Sequence, residues 1–299
     1  LRLDQAASLI DTERTLEFEA YRSVHGRGVP VPEVLALETG TEALGAAFFL
    51  MEQIVGGTAV SPFDTLAQGA HDQKVGEQVF TYLGRIHRLD PAETPLARIV
   101  PTPAPEDAAR RELDHWAGVI AADALGPMPV AAAAQAWLRA HLPPAPERLV
   151  LVHGDYRTGN YLTSPEGEIL AILDWEMAHF GDPLEDLAWV LDPMWSHQRP
   201  GTGGGLIARD QAIELWQAAS GLRFDAAAFA WWEVFASFKG LAIWTSAAKA
   251  YASLANMDPV NAFSGWYCTA EHTRRLAQLL CERAGVAPAA PLVPPEPQM

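Results

Sequence analysis

The 299-residue sequence predicts an α+β fold in two parts: a small amino-terminal lobe of one helix and short strands, and a large, mostly helical carboxy-terminal lobe. Three observations carry this expectation. Helix-spaced and strand-like apolar runs succeed one another up to Gly56-Gly57, which closes the first part, so residues 1–57 and 58–299 read as separate units. Long helical patterns dominate the second part. In its middle they are interrupted by two apolar strands joined by a turn, each ending in acidic residues.

Taken in order, Leu16, Ala20, Tyr21 and Val24 recur at helical spacing, and the helix they imply stops near Gly26-Arg27-Gly28. Val34-Leu35-Ala36-Leu37 and Ala47-Phe48-Phe49-Leu50-Met51 read as strands separated by a polar, glycine-containing loop. Beyond Gly57, Val75, Val79, Leu83, Ile86 and Leu89 describe a long amphipathic helix ending near Asp90-Pro91, with His87 as a structural residue upon it. The proline-rich stretch 101–105 leads into further helices, and Pro143-Pro144-Ala145-Pro146 leads into an apolar strand. After Trp189 the chain is helical again, with Trp216, Trp231, Trp232, Trp244 and Trp266 expected mainly in the core.

The stretch from Leu149 to Trp189 carries the chemistry. An apolar strand ends in His153-Gly154-Asp155, Asn160 follows five residues after that aspartate, and a second strand ends in Asp174-Trp175-Glu176. Ser164-Pro165-Glu166-Gly167 reads as the turn between Tyr161-Leu162 and the run Ile169-Leu170-Ala171-Ile172-Leu173, and Asn160 and Asp174 lie equally far from Gly167, so they are expected opposite each other at the open end of a hairpin. An amide oxygen beside a carboxylate suits Mg2+, which fills its octahedron with waters and nucleotide phosphates. Asp155, ahead of that pair, would orient an acceptor hydroxyl and take its proton. Singly, Asp155 and Asn160 are ordinary turn residues and Asp174 an ordinary helix cap. The spaced set on a strand-loop-strand frame favours a phosphoryl-transfer site. Asp186 lies in an apolar helical stretch where a free carboxylate is costly, and is expected to accept N–H groups of the 153–160 loop.

His153-Gly154-Asp155-Tyr156-Arg157-Thr158-Gly159-Asn160, Ile172-Leu173-Asp174-Trp175-Glu176 and Gly181-Asp182-Pro183-Leu184-Glu185-Asp186-Leu187-Ala188-Trp189 together resemble the aminoglycoside phosphotransferase family of small-molecule kinases. Weaker likeness upstream, at Gly28-Val29-Pro30-Val31-Pro32 and Phe48-Phe49-Leu50-Met51-Glu52, extends it over nearly the whole chain. The resemblance implies a protein-kinase-like two-lobed fold and ATP with Mg2+ as cofactors. It makes Asp155 the catalytic base, Asn160 and Asp174 the metal ligands, His153 and Asp186 the supports of the catalytic loop, and Glu52, Gln53 and Ile54 the hinge at the adenine edge. By position Arg2 would pair the nucleotide phosphates, as a fork where kinases usually carry lysine, with Glu17 as its partner. Arg157 would neutralise the transferring phosphoryl group or form a surface ion pair. The chain begins at Leu1 and shows nothing like the family's glycine-rich phosphate loop with its two strands, so the small lobe is expected to be incomplete.

Within the family, Leu173-Asp174-Trp175-Glu176 and Gly181-Asp182-Pro183 look most like the branch related to the kinase-like domain of some acyl-CoA dehydrogenases. This ranks a hydroxyacyl thioester slightly ahead of an amino sugar or an amino alcohol such as choline as acceptor. A non-catalytic kinase-like module that binds a nucleotide or a protein is the rival from another class. A metal-dependent hydrolase is disfavoured because the carboxylates offer no second metal site.

Composition sets bounds. A net charge of −16 argues against a nucleic-acid partner, which calls for a basic face. Two cysteines, Cys268 and Cys281, make no disulfide framework and point to a reducing cytoplasm. No apolar run approaches the ~20 residues that span a bilayer, and the start lacks a signal-peptide pattern, so no membrane partner is expected.

Overall fold

The computed structural model describes residues 1–3, 13–59, 69–196 and 199–286. Strand β1 (Arg2–Leu3), helix α1 (Arg14–Val24) and strands β2 (Val34–Glu38) and β3 (Phe48–Met51) come first, and the strands form an antiparallel sheet in the order β1-β3-β2. Helix α1 buries Ala20, Tyr21 and Val24 against this sheet, with Tyr21 on Phe49, and it ends where Gly26 takes a left-handed φ of 74°. Strand β4 (Thr58–Ala59) leaves this sheet and pairs instead with a strand of the central hairpin.

Helix α2 (Asp72–Arg88) buries Val75, Val79, Leu83 and Ile86, the stripe its spacing predicts. Helices α3 (Ala108–Asp123) and α4 (Pro129–Ala140) follow the proline-rich stretch. The fully buried strand β5 (Val150–Val152) then delivers the 153–160 loop. Strands β6 (Tyr161–Thr163) and β7 (Ile169–Ile172) form the hairpin, and β8 (His179–Gly181) returns antiparallel to β5 before α5 (Leu184–Val190). After the small strands β9 (Thr202–Gly203) and β10 (Ile207–Ala208), α6 (Arg209–Ser220) packs on α2. The approach is close: a Cβ at Gly84 of α2 would lie 2.8 Å from the Trp216 carbonyl.

Helix α7 (Ala226–Ala252) is the spine of the larger part. Asp225 caps it by accepting the N–H groups of Ala227 and Ala228. It is apolar all round because α3, α4, α5 and α9 (Thr269–Arg283) cover it from different sides, with α8 (Pro259–Phe263) at its far end. Trp216, Trp231 and Trp232 are buried, as expected of core residues, whereas Trp266 is 74% exposed and does not belong to the core.

The hairpin corrects one expectation. Tyr161 pairs with Ile172 and the Leu173 N–H donates to the Asn160 carbonyl at 2.8 Å, so Asn160 faces Leu173 and Asp174 lies one position beyond. The turn centres on Glu166 rather than Gly167, with the Ser164 N–H donating to the Glu168 carbonyl at 2.8 Å and Thr163 opposite Ile169, and the irregularity between Leu162 and Thr163 makes up only part of that offset. Asp174 then departs from strand geometry, with a left-handed φ of 69° that re-aims its side chain. Both cysteines are unpaired. Among the described residues no helix is long and apolar enough to cross a membrane.

Candidate functional site

The 153–160 loop is held through its backbone. The Asp186 carboxylate, fully buried at the start of α5, accepts the His153 N–H at 2.7 Å and the Gly154 N–H at 2.9 Å. It also accepts His87 Nε2 at 3.2 Å, while His87 Nδ1 accepts the Trp216 indole N–H at 3.0 Å. That second bond places the ring's proton on Nε2 and makes a continuous Trp216–His87–Asp186 chain from α6 to the loop. Burial alone would raise the Asp186 pKa, but the His87 hydrogen bond and the loop N–H groups outweigh it and hold it near 2. His153 follows the same logic. Its Nδ1 accepts the Asp155 N–H, its Nε2 donates to the Leu173 carbonyl, and burial lowers its pKa, so it is a neutral spacer between the two strand ends.

Asp155 sits at the centre. Its Oδ1 accepts the Trp189 indole N–H at 2.7 Å and Arg157 Nε at 2.9 Å, and its Oδ2 accepts Asn160 Nδ2 at 2.6 Å. The Asn160 amide thus spends its N–H groups on Asp155, carbonyl and carboxylate both, and its oxygen is an acceptor atom beside that carboxylate. The Arg157 guanidinium lies 4.7 Å over the Trp195 ring.

Helix α1 supplies the opposite wall through Arg14, Glu17 and Tyr21, which share one face. The Tyr21 hydroxyl accepts the Asp174 N–H at 3.0 Å and supports the left-handed residue. Arg2 of β1 donates to Glu17 at 3.3 Å, to Asp174 Oδ1 at 2.7 Å and to Glu176 at 3.1 Å. Arg14 also bridges Glu17 and Glu176. Burial and the neighbouring Glu176 and Asp155 charges push the Asp174 pKa up to about 6, and burial pushes Glu17 up to about 7. Four carboxylates (Glu17, Asp155, Asp174, Glu176) therefore face three guanidinium groups (Arg2, Arg14, Arg157), leaving an excess of negative charge. A guanidinium rests on Asp174 where a hard cation would sit. Oxygen donors short of positive charge are what Mg2+ binds, so the residues present fit that ion.

The structure brings Arg2, Glu17, Asp174, Asp155, Arg157, Asn160, His153 and Asp186 into one region. Glu52, Gln53 and Ile54 lie on the segment after β3, where the Glu52 N–H donates to the Glu33 carbonyl. Sequence reasoning missed Arg14, Tyr21, Glu176 as an ion-pair partner, Trp189 as a donor, and the buried Lys239 of α7, whose Nζ donates to the Gly154 carbonyl at 2.7 Å. Trp189 had a signal: it follows Asp186 by one helical turn, so both reach the same loop.

Residues 4–231 match the model of the APH phosphotransferase enzyme family. The chain belongs to that family. Mouse acyl-CoA dehydrogenase family member 10 is 31% identical over 192 residues, which is 63% of this chain and only 18% of that protein. A crystal structure described as a putative aminoglycoside phosphotransferase from Ralstonia eutropha superposes with a TM-score of 0.71 at 20% identity, covering 95% of this chain and 85% of the other. A thermostable mutant of aminoglycoside phosphotransferase APH(4)-Ia, solved in ternary complex with AMP-PNP and hygromycin B, gives 0.56 at 18% identity, covering 90% and 84%. These neighbours establish the kinase-like fold for this APH-family chain, with its small sheet region and mostly helical remainder.

Proposed function

We propose that the chain is an ATP- and Mg2+-dependent kinase that transfers the γ-phosphoryl group to a hydroxyl of a small molecule. The observation that carries this is Asp155. Trp189 of α5 and Arg157 and Asn160 of its own loop hold its carboxylate, it stands close enough to Asp174 to raise that group's pKa, and a cation-seeking set of oxygens surrounds it. A carboxylate so fixed accepts the hydroxyl proton as the acceptor oxygen bonds to the phosphorus and the bond to ADP breaks. Asn160 and Asp174 would hold Mg2+, which when bound neutralises phosphate charge. Arg157, beside Asp155, faces the charge on the transferring group, and Arg2, with Glu17 behind it, pairs the nucleotide phosphates. Because phosphoryl transfer rests on positioning and charge, fixing these groups is most of the catalysis.

The pairing of β4 with β6 supports a division between the lobes after Gly57, and residues 52–54 are assigned to the adenine edge. Likeness to acyl-CoA dehydrogenase family members ranks a hydroxyacyl thioester first among acceptors, ahead of an amino sugar or amino alcohol. A cytoplasmic site suits the unpaired cysteines. The Asp155→Asn substitution tests the reading: turnover is expected to fall at least ~10³-fold while Mg-nucleotide still binds. Turnover near wild type would remove Asp155 from the role of base.

A further inference from the structure

Lys239 of α7 also belongs to a second group of charged side chains behind the 153–160 loop, with Glu112 of α3, His179 of β8 and Glu185 of α5. His179 donates through Nδ1 to the Met177 carbonyl at 3.0 Å and through Nε2 to Glu185 at 3.1 Å, with Glu112 at 3.6 Å. Lys239, 1% exposed, gives one N–H to Glu185 at 2.8 Å and one to the Gly154 carbonyl at 2.7 Å. Its ammonium stands 5.5 Å from the centres of both the Trp116 and Trp189 rings.

Two readings compete. The ligand atoms of Glu112, His179 and Glu185 lie within 4.8 Å of one another, close enough to hold a metal ion. Electrostatics goes against it. With both ring nitrogens donating, His179 is an imidazolium; the two carboxylates push its pKa up to about 10 despite burial. Two cations and two anions already cancel, and a divalent ion would have to displace a tightly held proton beside an ammonium group. The quartet is a neutral, self-satisfied unit.

Its Lys239–Glu185 half is buried and therefore expensive, where apolar residues would fill the same volume at no such cost, while Glu112 and His179 are partly exposed. What it delivers is at the Gly154–Asp155 peptide. Lys239 fixes the oxygen of that peptide, and His153 Nδ1 fixes its N–H. Gly154 has φ 85° and no room for a side chain, since a Cβ would lie 2.5 Å from the Met177 carbonyl. The Trp189 indole on which Lys239 rests is the one that donates to Asp155 Oδ1. We infer that Lys239 is a positioning residue for Asp155, acting through the Gly154 carbonyl and the Trp189 ring, with Glu185 and the Glu112–His179 pair holding its charge in place. The inference rests on Asp155 being the base.

The test separates positioning from charge balance. Lys239→Met with Glu185→Gln removes one cation and one anion, leaving the Glu112–His179 pair neutral. Thermal stability is expected within a few degrees of wild type and affinity for Mg-AMP-PNP within about threefold, while ADP formation from Mg-ATP falls at least tenfold. A double variant that is stable and turns over like wild type overturns the inference, because Lys239 then only balances Glu185. Glu185→Gln alone, followed by hydrogen exchange, covers the case in which the double variant does not fold. Amide exchange at Asp155 and Tyr156 is expected to accelerate while α6 is unchanged, and an unaltered loop overturns the inference. Full turnover by Asp155→Asn, run in parallel, would instead remove the base assignment.

Discussion

The Asp186→Asn substitution tests how the loop is held, and its size can be worked from the structure in two ways. The carboxylate serves three donors: His153 N and His87 Nε2 on one oxygen and Gly154 N on the other. An asparagine has one acceptor oxygen, so whichever way it turns, its NH2 faces at least one buried N–H. An unsatisfied buried group costs about 1–3 kcal/mol, and the remaining bonds lose their charge assistance. Independently, lowering the pKa from 3.8 to about 2 corresponds to roughly 2.5 kcal/mol of stabilisation at neutral pH. The two routes agree on a loss of about 3 kcal/mol, which urea unfolding at pH 7 would measure. The sign with pH is fixed as well. A depressed carboxylate contributes above its unfolded pKa and loses that contribution as pH falls, so the gap between wild type and Asp186→Asn should close between pH ~4 and ~2. A variant within about 0.5 kcal/mol of wild type at pH 7, the usual range for surface changes, would refute the reasoning.

Two further outcomes are expected. Trp189→Phe keeps the aromatic packing of α5 but removes the 2.7 Å indole bond to Asp155, and should lower kcat about tenfold with little change in nucleotide affinity; equal kcat would mean the bond does not orient the carboxylate. His179, with its pKa raised to about 10, contributes stability that is full below about pH 6.5 and is lost as pH climbs through 10. Wild type should therefore lose thermal stability between pH 7 and 10 more steeply than His179→Gln, and parallel curves would remove the imidazolium from the account.

Sequence legibility followed the range of the interactions. Helices α1 and α2 were readable because a single buried stripe decides each, and the hairpin was readable from its apolar runs and turn residues. Its register was not: the turn centres on Glu166, so counting outward from Gly167 displaces every pair, and the irregularity at Leu162 and Thr163 restores only part of the offset and leaves Asn160 opposite Leu173. Burial of Asp186 was legible from the apolar residues around it, but its partner His87 lies 99 positions away and read only as a structural residue. Arg14 reaches Glu176 across 162 positions and Lys239 reaches Gly154 across 85, so neither carries a local pattern to announce it. Trp266 misled for the opposite reason. A tryptophan in a helical run predicts burial, yet its stretch turns Ser264, Gly265 and Cys268 inward, with Gly265 against Ala248 of α7, and leaves Trp266 exposed.

The central claim is that Asp174 and Asn160 form a cation and nucleotide site beside Asp155, and thermal stabilisation by Mg-ATP tests it most directly. A ligand at ~100 times its dissociation constant adds about 2.7 kcal/mol to the native state, a shift of several degrees in a chain of this size. Wild type is expected to show that shift with Mg-ATP, a smaller one with ATP and EDTA, and the Asp174→Ala variant almost none. Equal stabilisation of wild type and Asp174→Ala, or stabilisation indifferent to magnesium, would contradict the account.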